Sequence, residues 1–562
     1  MTLLICWALA PLLMVVLALG CGALVELAGG RRLPGSLLVP AGFAVIIVVC
    51  DLAASNSSTA PLALPTVLAL AVAGLLAGDW RRRPSPWTIA AVLFVYVAYG
   101  APVLFSGQAT FAGYIKLDDT ATWFALADRA LEHGRSVAGL EPSSYLRTLQ
   151  VYLDTGYPLG SFLPLAALRR LSGWDVAWLF APYLALQGGL LACSLDGMLT
   201  RVVTGVRWRA LVVGVAAQPA LLYGYLQWGG IKEMVGAALI ATTVALLPEA
   251  ELDLPNVRAL VPAAFAAGAV VASLSLGGAV WFAPLGAWLA LAVARRVRRG
   301  LSRRAMGIGL AAAAAIVALV TVSASGGFLE TELHGLQSNA DPGNLVGPLN
   351  DLQVLGVWPS GDFRVHPAAE TITHILLVAV GLAIVAALVL GVRKRAGRLL
   401  TYGIGTTIGL LVIIILANHW VTGKALAMSS PAVLVLALSG TGMLWQSRRR
   451  LEGGVLAVLI AFGVLWSNAL AYHEVDLAPR TQLAELQTIG RRIAGEGPTL
   501  MTEYNPYGAR HFLRAGDAEG ASELRFRDVN LLGGGILQKG AYEDLDQFEL
   551  SAILVYRTLV LR

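Results

Sequence analysis

Two adjacent aspartates, Asp118 and Asp119, stand in the segment GYIKLDDTATWFALADRALEHG (113–134), directly before a stretch with the period of an amphipathic helix. Trp123, Phe124, Ala127, Ala130 and Leu131 fall on its apolar side, so the helix is expected to lie along a membrane surface with the acid pair at its start. A carboxylate so placed can accept a proton from an attacking hydroxyl. The plainer reading is structural: Asp119 caps the helix and Asp118 sits favourably near its positive end. Cations of the right type stand elsewhere. Of 41 basic residues only five are lysine, and Lys116, Lys232 and Lys424 break with the prevailing arginine usage. A compact ammonium pairs well with a phosphate. Lys232 lies in QWGGIKE (227–233) beside Glu233, and Lys424 lies in NHWVTGKALA (418–427) near His419. Snorkelling, or a Lys232–Glu233 pair, is the structural alternative.

Further polar groups gather in three stretches. YLDTGYPLGSFLPLAALRRLSG (152–173) carries Asp154 and Tyr157, then an apolar piece too short and too basic to span a bilayer. GPLNDLQVLGVWPSGDFRVHP (347–367) offers Asp351, Gln353, Trp358, Asp362, Arg364 and His366, suited to stacking and hydrogen-bonding a sugar, with Arg364 also able to reach a phosphate. An internal Asp362–Arg364 ion pair explains the same residues equally well. TEYNPYGARHFLR (502–514) groups Glu503, Tyr504, Tyr507, Arg510 and His511, which either line an acceptor groove or, the favoured reading, stabilise their own domain. The four cysteines (Cys6, Cys21, Cys50, Cys193) all fall in apolar runs, which offers no disulfide frame and no CxxC site. No His, Asp and Glu set has compelling metal spacing, and no GxxxxGK[ST] or GxGxxG phosphate loop occurs in a strand–helix context.

The elements that must hold these residues are membrane helices. The chain has 562 residues, is 57% hydrophobic and 14% charged, and has a mean hydropathy of +0.70. Such a composition excludes a water-soluble enzyme over the whole length, a disordered chain and a fibrous one. Fourteen apolar stretches are expected to span: 3–25, 35–50, 61–78, 87–105, 174–196, 210–226, 232–248, 259–274, 277–294, 305–323, 372–392, 400–417, 425–445 and 454–472. The first has no charged leader and no clear cleavage site, and reads as a retained helix. Basic groups at Arg31–Arg32, Arg81–Arg83, Arg201/Arg207/Arg209, Arg258, Arg295–Arg304, Arg393–Arg398 and Arg448–Arg450 fall after every second stretch. These loops hold 22 of the 31 lysines and arginines before residue 473. By the positive-inside rule they are cytoplasmic and both termini lie outside, which explains the net charge of +6 without nucleic acid.

The organisation that follows is 1–105, N-terminal spans; 106–173, a first large extracytoplasmic loop carrying the acid pair; 174–472, the remaining helices with an outer loop at 324–371; and 473–562, a small extracytoplasmic α/β domain. The C-terminal region holds an amphipathic helix near 479–495, a short strand at GPTLMTEY and a further strand at SAILVYRTLVL. It ends inside an apolar run, so a longer natural chain is expected. Lys116, Lys232 and Lys424 all fall at outer rims, against the charge trend.

An outer loop with an acidic pair, then an aromatic/alanine helix ending in glycine, then a Tyr-Pro-Leu turn, resembles the GT-C superfamily of membrane glycosyltransferases, such as protein O-mannosyltransferases, the lipid A aminoarabinose transferase and arabinofuranosyltransferases. The detailed resemblance covers 113–173, and the acidic loop follows the fourth span here rather than the first. It implies a polytopic α-helical, GT-C-like fold in the plasma membrane. The implied reaction passes a sugar from a polyprenyl-phosphate donor to a hydroxyl of a glycan or protein acceptor, in cell-envelope synthesis, inverting the anomeric carbon. Asp118 would be the base and Asp119 its helper. Lys232, Lys424, Arg364, Lys116 and His419 would hold the donor phosphate, and Asp154, Tyr157, Glu233, Trp358, Asp362 and His366 would contact substrate. No cofactor is expected; a divalent ion on the acid pair, as in related oligosaccharyltransferases, is not favoured. The competing readings are an O-antigen-type polymerase or ligase, a lipid-linked sugar transporter or flippase, and an envelope-assembly scaffold.

Overall fold

The computed structural model describes residues 2–79, 84–248, 257–283, 343–497, 499–501 and 503–520, with isolated positions between 286 and 320 and the short pieces 529–530 and 536–537. The chain is a polytopic helical membrane protein. Among the described residues nine helices are long and apolar enough to cross a bilayer. They are α1 Thr2–Gly29, α2 Gly35–Ala54, α3 Ala60–Ala77, α4 Pro86–Ser106, α8 Val176–Leu199, α13 Glu370–Arg393, α14 Gly397–Leu416, α15 His419–Gln446 and α16 Arg450–His473. Between α4 and α8 lie three helices that do not span: α5 Asp119–His133, α6 Ser144–Leu153 and α7 Leu163–Ser172.

Nine of the fourteen expected stretches coincide with these spans. The stretch 210–226 is a broken pair, α9 Val206–Ala216 and α10 Ala220–Gln227, bent by 53°. Proline 219 sits at the break, where it can neither donate nor let the preceding residue stay helical. Stretch 232–248 is α11 Ile231–Ala245, 15 residues long, and 259–274 is α12 Arg258–Leu274, a shorter apolar helix. Stretch 277–294 begins as the short 3₁₀ turn Leu276–Phe282, and its remainder lies outside the described residues. Most of 305–323, Arg81–Arg83, Arg295–Arg304, the first part of the 324–371 loop and the strand at SAILVYRTLVL also lie outside them.

The helices pack through small residues, as expected where lipid offers no hydrophobic drive between them. At the α1–α2 and α1–α3 crossings, a Cβ on Gly42 would lie 1.7 Å from the Ala18 carbonyl oxygen, and one on Gly20 would lie 2.2 Å from that of Ala71. The outward faces keep exposed apolar side chains such as Leu76, Val378, Ile415 and Val458.

The acid-bearing loop is folded into protein. Every residue of α5 from Thr120 to Leu131 is buried, although the sequence pattern puts this helix on the membrane surface. The difference has a physical cause: the chain after α16 returns onto it. Ala112 bridges to Leu477, and the Thr110 hydroxyl donates to the Ala478 carbonyl at 2.7 Å. Then come α17 Arg480–Arg492 and a parallel strand pair, β1 Thr499–Met501 with β2 Ala518–Gly520. Between these strands, residues 507–514 lie across α5.

Candidate functional site

The chain between α10 and α11 is the unwound turn Trp228-Gly229-Gly230. Gly229 has φ +96°, a conformation L side chains rarely adopt, and a Cβ there would lie 2.3 Å from the Thr120 hydroxyl oxygen. Glycine therefore lets this turn press against the first turn of α5. The contact closes one wall of a small cavity that opens to solvent. The lining brings together Asp119 and Trp123 of α5, Trp228, Glu233 of α11, Phe363, and Trp420 and Lys424 of α15. Four segments far apart in sequence supply these residues.

Charge is concentrated at the centre. Lys424 Nζ lies 3.4 Å from Glu233 Oε1 and 3.4 Å from the centroid of the Trp420 ring. Glu233 is buried, whereas Lys424 keeps partial access to solvent. Asp119 sits deep among protein atoms but is still reached through the cavity mouth. Burial raises its carboxyl above the ordinary carboxylate value; Lys424 and Arg510 pull the other way, and Asp118 and Glu233 add to the rise. Lys232 stacks its ammonium 4.2 Å from the Tyr157 ring. Burial lifts the Tyr157 hydroxyl well above its usual value, and its neighbours Tyr152, Asp119 and Glu233 add to this.

Aromatic faces make the walls. Trp228 is flanked by Arg364, 4.6 Å from its ring centroid, and by Lys116 at 5.7 Å. Phe363 stacks on Tyr225 at 4.9 Å between centroids and tilts against Trp228 at 4.7 Å. Arg364 and Lys116 are otherwise engaged. Arg364 grips Asp362 with two nitrogens, Nη2–Oδ2 at 2.6 Å and Nε–Oδ1 at 3.0 Å, and donates to the Asn344 carbonyl. This arginine holds the Asp362 carboxyl below its ordinary value against the opposing effect of burial. Lys116 pairs with Asp476 at 3.4 Å.

Asp118 does not line the cavity. Its carboxylate accepts from Arg510 Nη2 at 3.0 Å, and Arg510 Nη1 reaches the Asp118 carbonyl and the Thr122 hydroxyl, each at 3.3 Å. Tyr507 donates to the Leu117 carbonyl at 3.0 Å. A few residues on, the same segment is locked by buried charge. Arg514 Nε lies 2.8 Å from Asp128 Oδ2, and His511 Nε2 lies 2.8 Å from Asp175 Oδ1. Burial alone would raise Asp175, yet His511 and Arg514 hold its carboxyl far below the ordinary range. The tail residues thus fix the acidic loop rather than their own domain alone.

The other expected site residues lie apart from the cavity. Asp154 is exposed at the end of α6, and His419 is exposed at the start of α15. Trp358 is buried, donating from Nε1 to the Val365 carbonyl and from its backbone N–H to Ser467, and His366 packs at its outer side. Tyr225, Trp228, Phe363 and Trp420 were not singled out from sequence; Tyr225 and Trp228 stand near the Gly229–Gly230 pair, Trp420 near Lys424, and Phe363 beside Arg364. Among the described residues no group of three or more His, Cys, Asp or Glu gathers as metal ligands. Chemically, the site offers a proton acceptor, a cation held by a buried carboxylate, and flat faces on which a sugar can stack. No protein-family model matches the chain, and no curated protein matches it.

Proposed function

We propose that the chain is a membrane glycosyltransferase that takes a sugar from a polyprenyl-phosphate carrier and joins it to a hydroxyl of a glycan or protein. The single observation that carries this reading is the meeting of Asp119, Glu233 and Lys424 in one aromatic-walled cavity. In the reaction, the acceptor hydroxyl attacks the anomeric carbon and gives its proton to Asp119. The carbon–oxygen bond to phosphate breaks, and the carrier phosphate leaves with the electron pair, opposite Lys424 and with Lys232 nearby. One displacement inverts the anomeric carbon. Asp119 takes the role that the sequence assigned to Asp118, because Asp119 lines the cavity while Asp118 is bound to Arg510. Trp228 and Phe363 hold the sugar ring.

This reading keeps the GT-C resemblance, the plasma membrane and the extracytoplasmic site, with 473–562 as a small outer α/β domain. The positive-inside charge pattern supports the sidedness. The break at Pro219 supports a second reading, a carrier for a lipid-linked sugar, since carriers use broken helices at their binding sites. Reconstituting the full chain in liposomes with a labelled polyprenyl-phosphate sugar separates the two. The transferase releases polyprenyl phosphate and labels the acceptor; the carrier moves the donor across the bilayer with its sugar–phosphate bond intact.

A further inference from the structure

At the end of the bundle opposite Asp119, where α4 and α9 begin and α15 ends, an open groove is lined by Trp87, Val206, Arg207, Trp208 and Trp445. Trp208 and Trp445 stack with centroids 4.8 Å apart, and the Arg207 guanidinium lies 5.2 Å from the Trp87 ring centroid. Trp87 and Trp445 are exposed, 48% and 39%. Two arginines two residues apart on α9, and so on opposite sides of the helix, have different fates. Arg209 is buried, its Nε 2.8 Å from Asp196 Oδ1 and its Nη1 donating to the Val203 carbonyl. Arg207 is exposed, and among the described residues its recorded partner is the face of Trp87. Its guanidinium therefore keeps its N–H donors for an oxyanion.

The groove continues into an apolar track. Leu211 follows Arg207 by one helical turn and Phe94 follows Trp87 by two, and these two residues are exposed, 45% and 46%. Tryptophans at helix ends mark headgroup depth, and the basic residues Arg201 and Arg448–Arg450 stand at the same end. The first turn of α9, uncapped by any side chain, adds a mild preference for negative charge.

We propose that this groove holds the headgroup of an anionic glycerophospholipid, its phosphate on Arg207 and an acyl chain along Leu211 and Phe94. The site is independent of the transferase reading. Phosphatidylglycerol is the probe, phosphatidylcholine with the same acyl chains is its zwitterionic control, and polyprenyl phosphate is a competitor. All are offered in equal amounts to the detergent-purified full chain, and retained lipid is counted by native mass spectrometry. The expected preference for phosphatidylglycerol over phosphatidylcholine is about fivefold. Arg207→Gln removes it, Arg207→Lys retains part of it, and Arg448→Gln, an exposed arginine at the same end, leaves it unchanged. Equal retention of the two phospholipids overturns the proposal, as does a preference that survives Arg207→Gln or is lost instead in Arg448→Gln. Displacement of phosphatidylglycerol by polyprenyl phosphate at equal concentration also overturns it. Arg207 is exposed, and an unchanged melting temperature of the Gln variant verifies that the fold is intact.

Discussion

Lys424 and Glu233, 191 positions apart in the chain, meet at 3.4 Å on the cavity wall, the carboxylate buried and the ammonium partly open. The pair ties α15 to α11 and holds a cation over the space that Asp119 faces. Removing only the ammonium, as in Lys424→Met, leaves Glu233 as an uncompensated buried charge and is expected to destabilise the protein by about 3–5 kcal/mol. The double variant Lys424→Met/Glu233→Gln is expected to regain most of that stability in thermal unfolding while remaining defective in donor binding. Recovery of donor binding in the double variant would show that the cation does not hold the phosphate.

The Arg510–Asp118 ion pair predicts a pH effect. A base must be ionised, so transfer rises with pH through the Asp119 titration. Burial sets that titration above the usual value near 4, and the acidic limb of the rate profile follows it upward. Arg510 favours the ionised form, so Arg510→Gln moves the limb to higher pH and Arg510→Lys largely restores it. A merely structural Arg510 lowers the rate without moving the limb.

The buried Asp175, His511 and Arg514 cluster makes docking of the 507–514 segment acid-sensitive. A carboxyl held below its ordinary value binds fewer protons folded than unfolded. Its stabilisation is therefore complete above pH of about 4 and is lost as pH falls below that. Limited proteolysis of the segment is expected to accelerate on acidification, and Asp175→Asn is expected to show the fast rate at neutral pH.

Gly229→Ala tests the turn against α5. The positive φ and the 2.3 Å approach of a Cβ to Thr120 leave no room for a methyl group, and a cost of about 1–3 kcal/mol is expected from the backbone alone. Thr120→Ala in the same chain relieves the contact but not the φ. Thermal unfolding is therefore expected to show partial rescue only.

The spans were legible in the sequence because crossing a bilayer demands a long apolar run, and nine described helices answer to nine such runs. The shortness of α11 and the break at Pro219 were hidden because hydropathy measures composition along a run, not continuity of the helix. The burial of α5 was hidden for another reason: Tyr507, Arg510 and Arg514 reach it from nearly 400 residues away, and no local period encodes such a return. The acid pair itself stood out, but consecutive helical residues point about 100° apart. Which of the two aspartates turns to the cavity and which to Arg510 is decided by packing, and adjacency in sequence carries no such information. Glu233 and Lys424, picked out by residue type and position, line the cavity; Lys232 lies against Tyr157 instead, and Trp358, His366, Asp154 and His419 are also outside the lining.

The central claim is tested most directly by comparing Asp119→Asn with Asp118→Asn in reconstituted transfer from a labelled polyprenyl-phosphate sugar. Asp119→Asn keeps the shape of the cavity and removes its proton acceptor, and transfer is expected to fall about 10²–10⁴-fold with the protein folded and the donor still bound. Asp118→Asn loses a contact to Arg510 and is expected to cost about tenfold or less. Normal transfer by a folded Asp119→Asn variant would contradict the account.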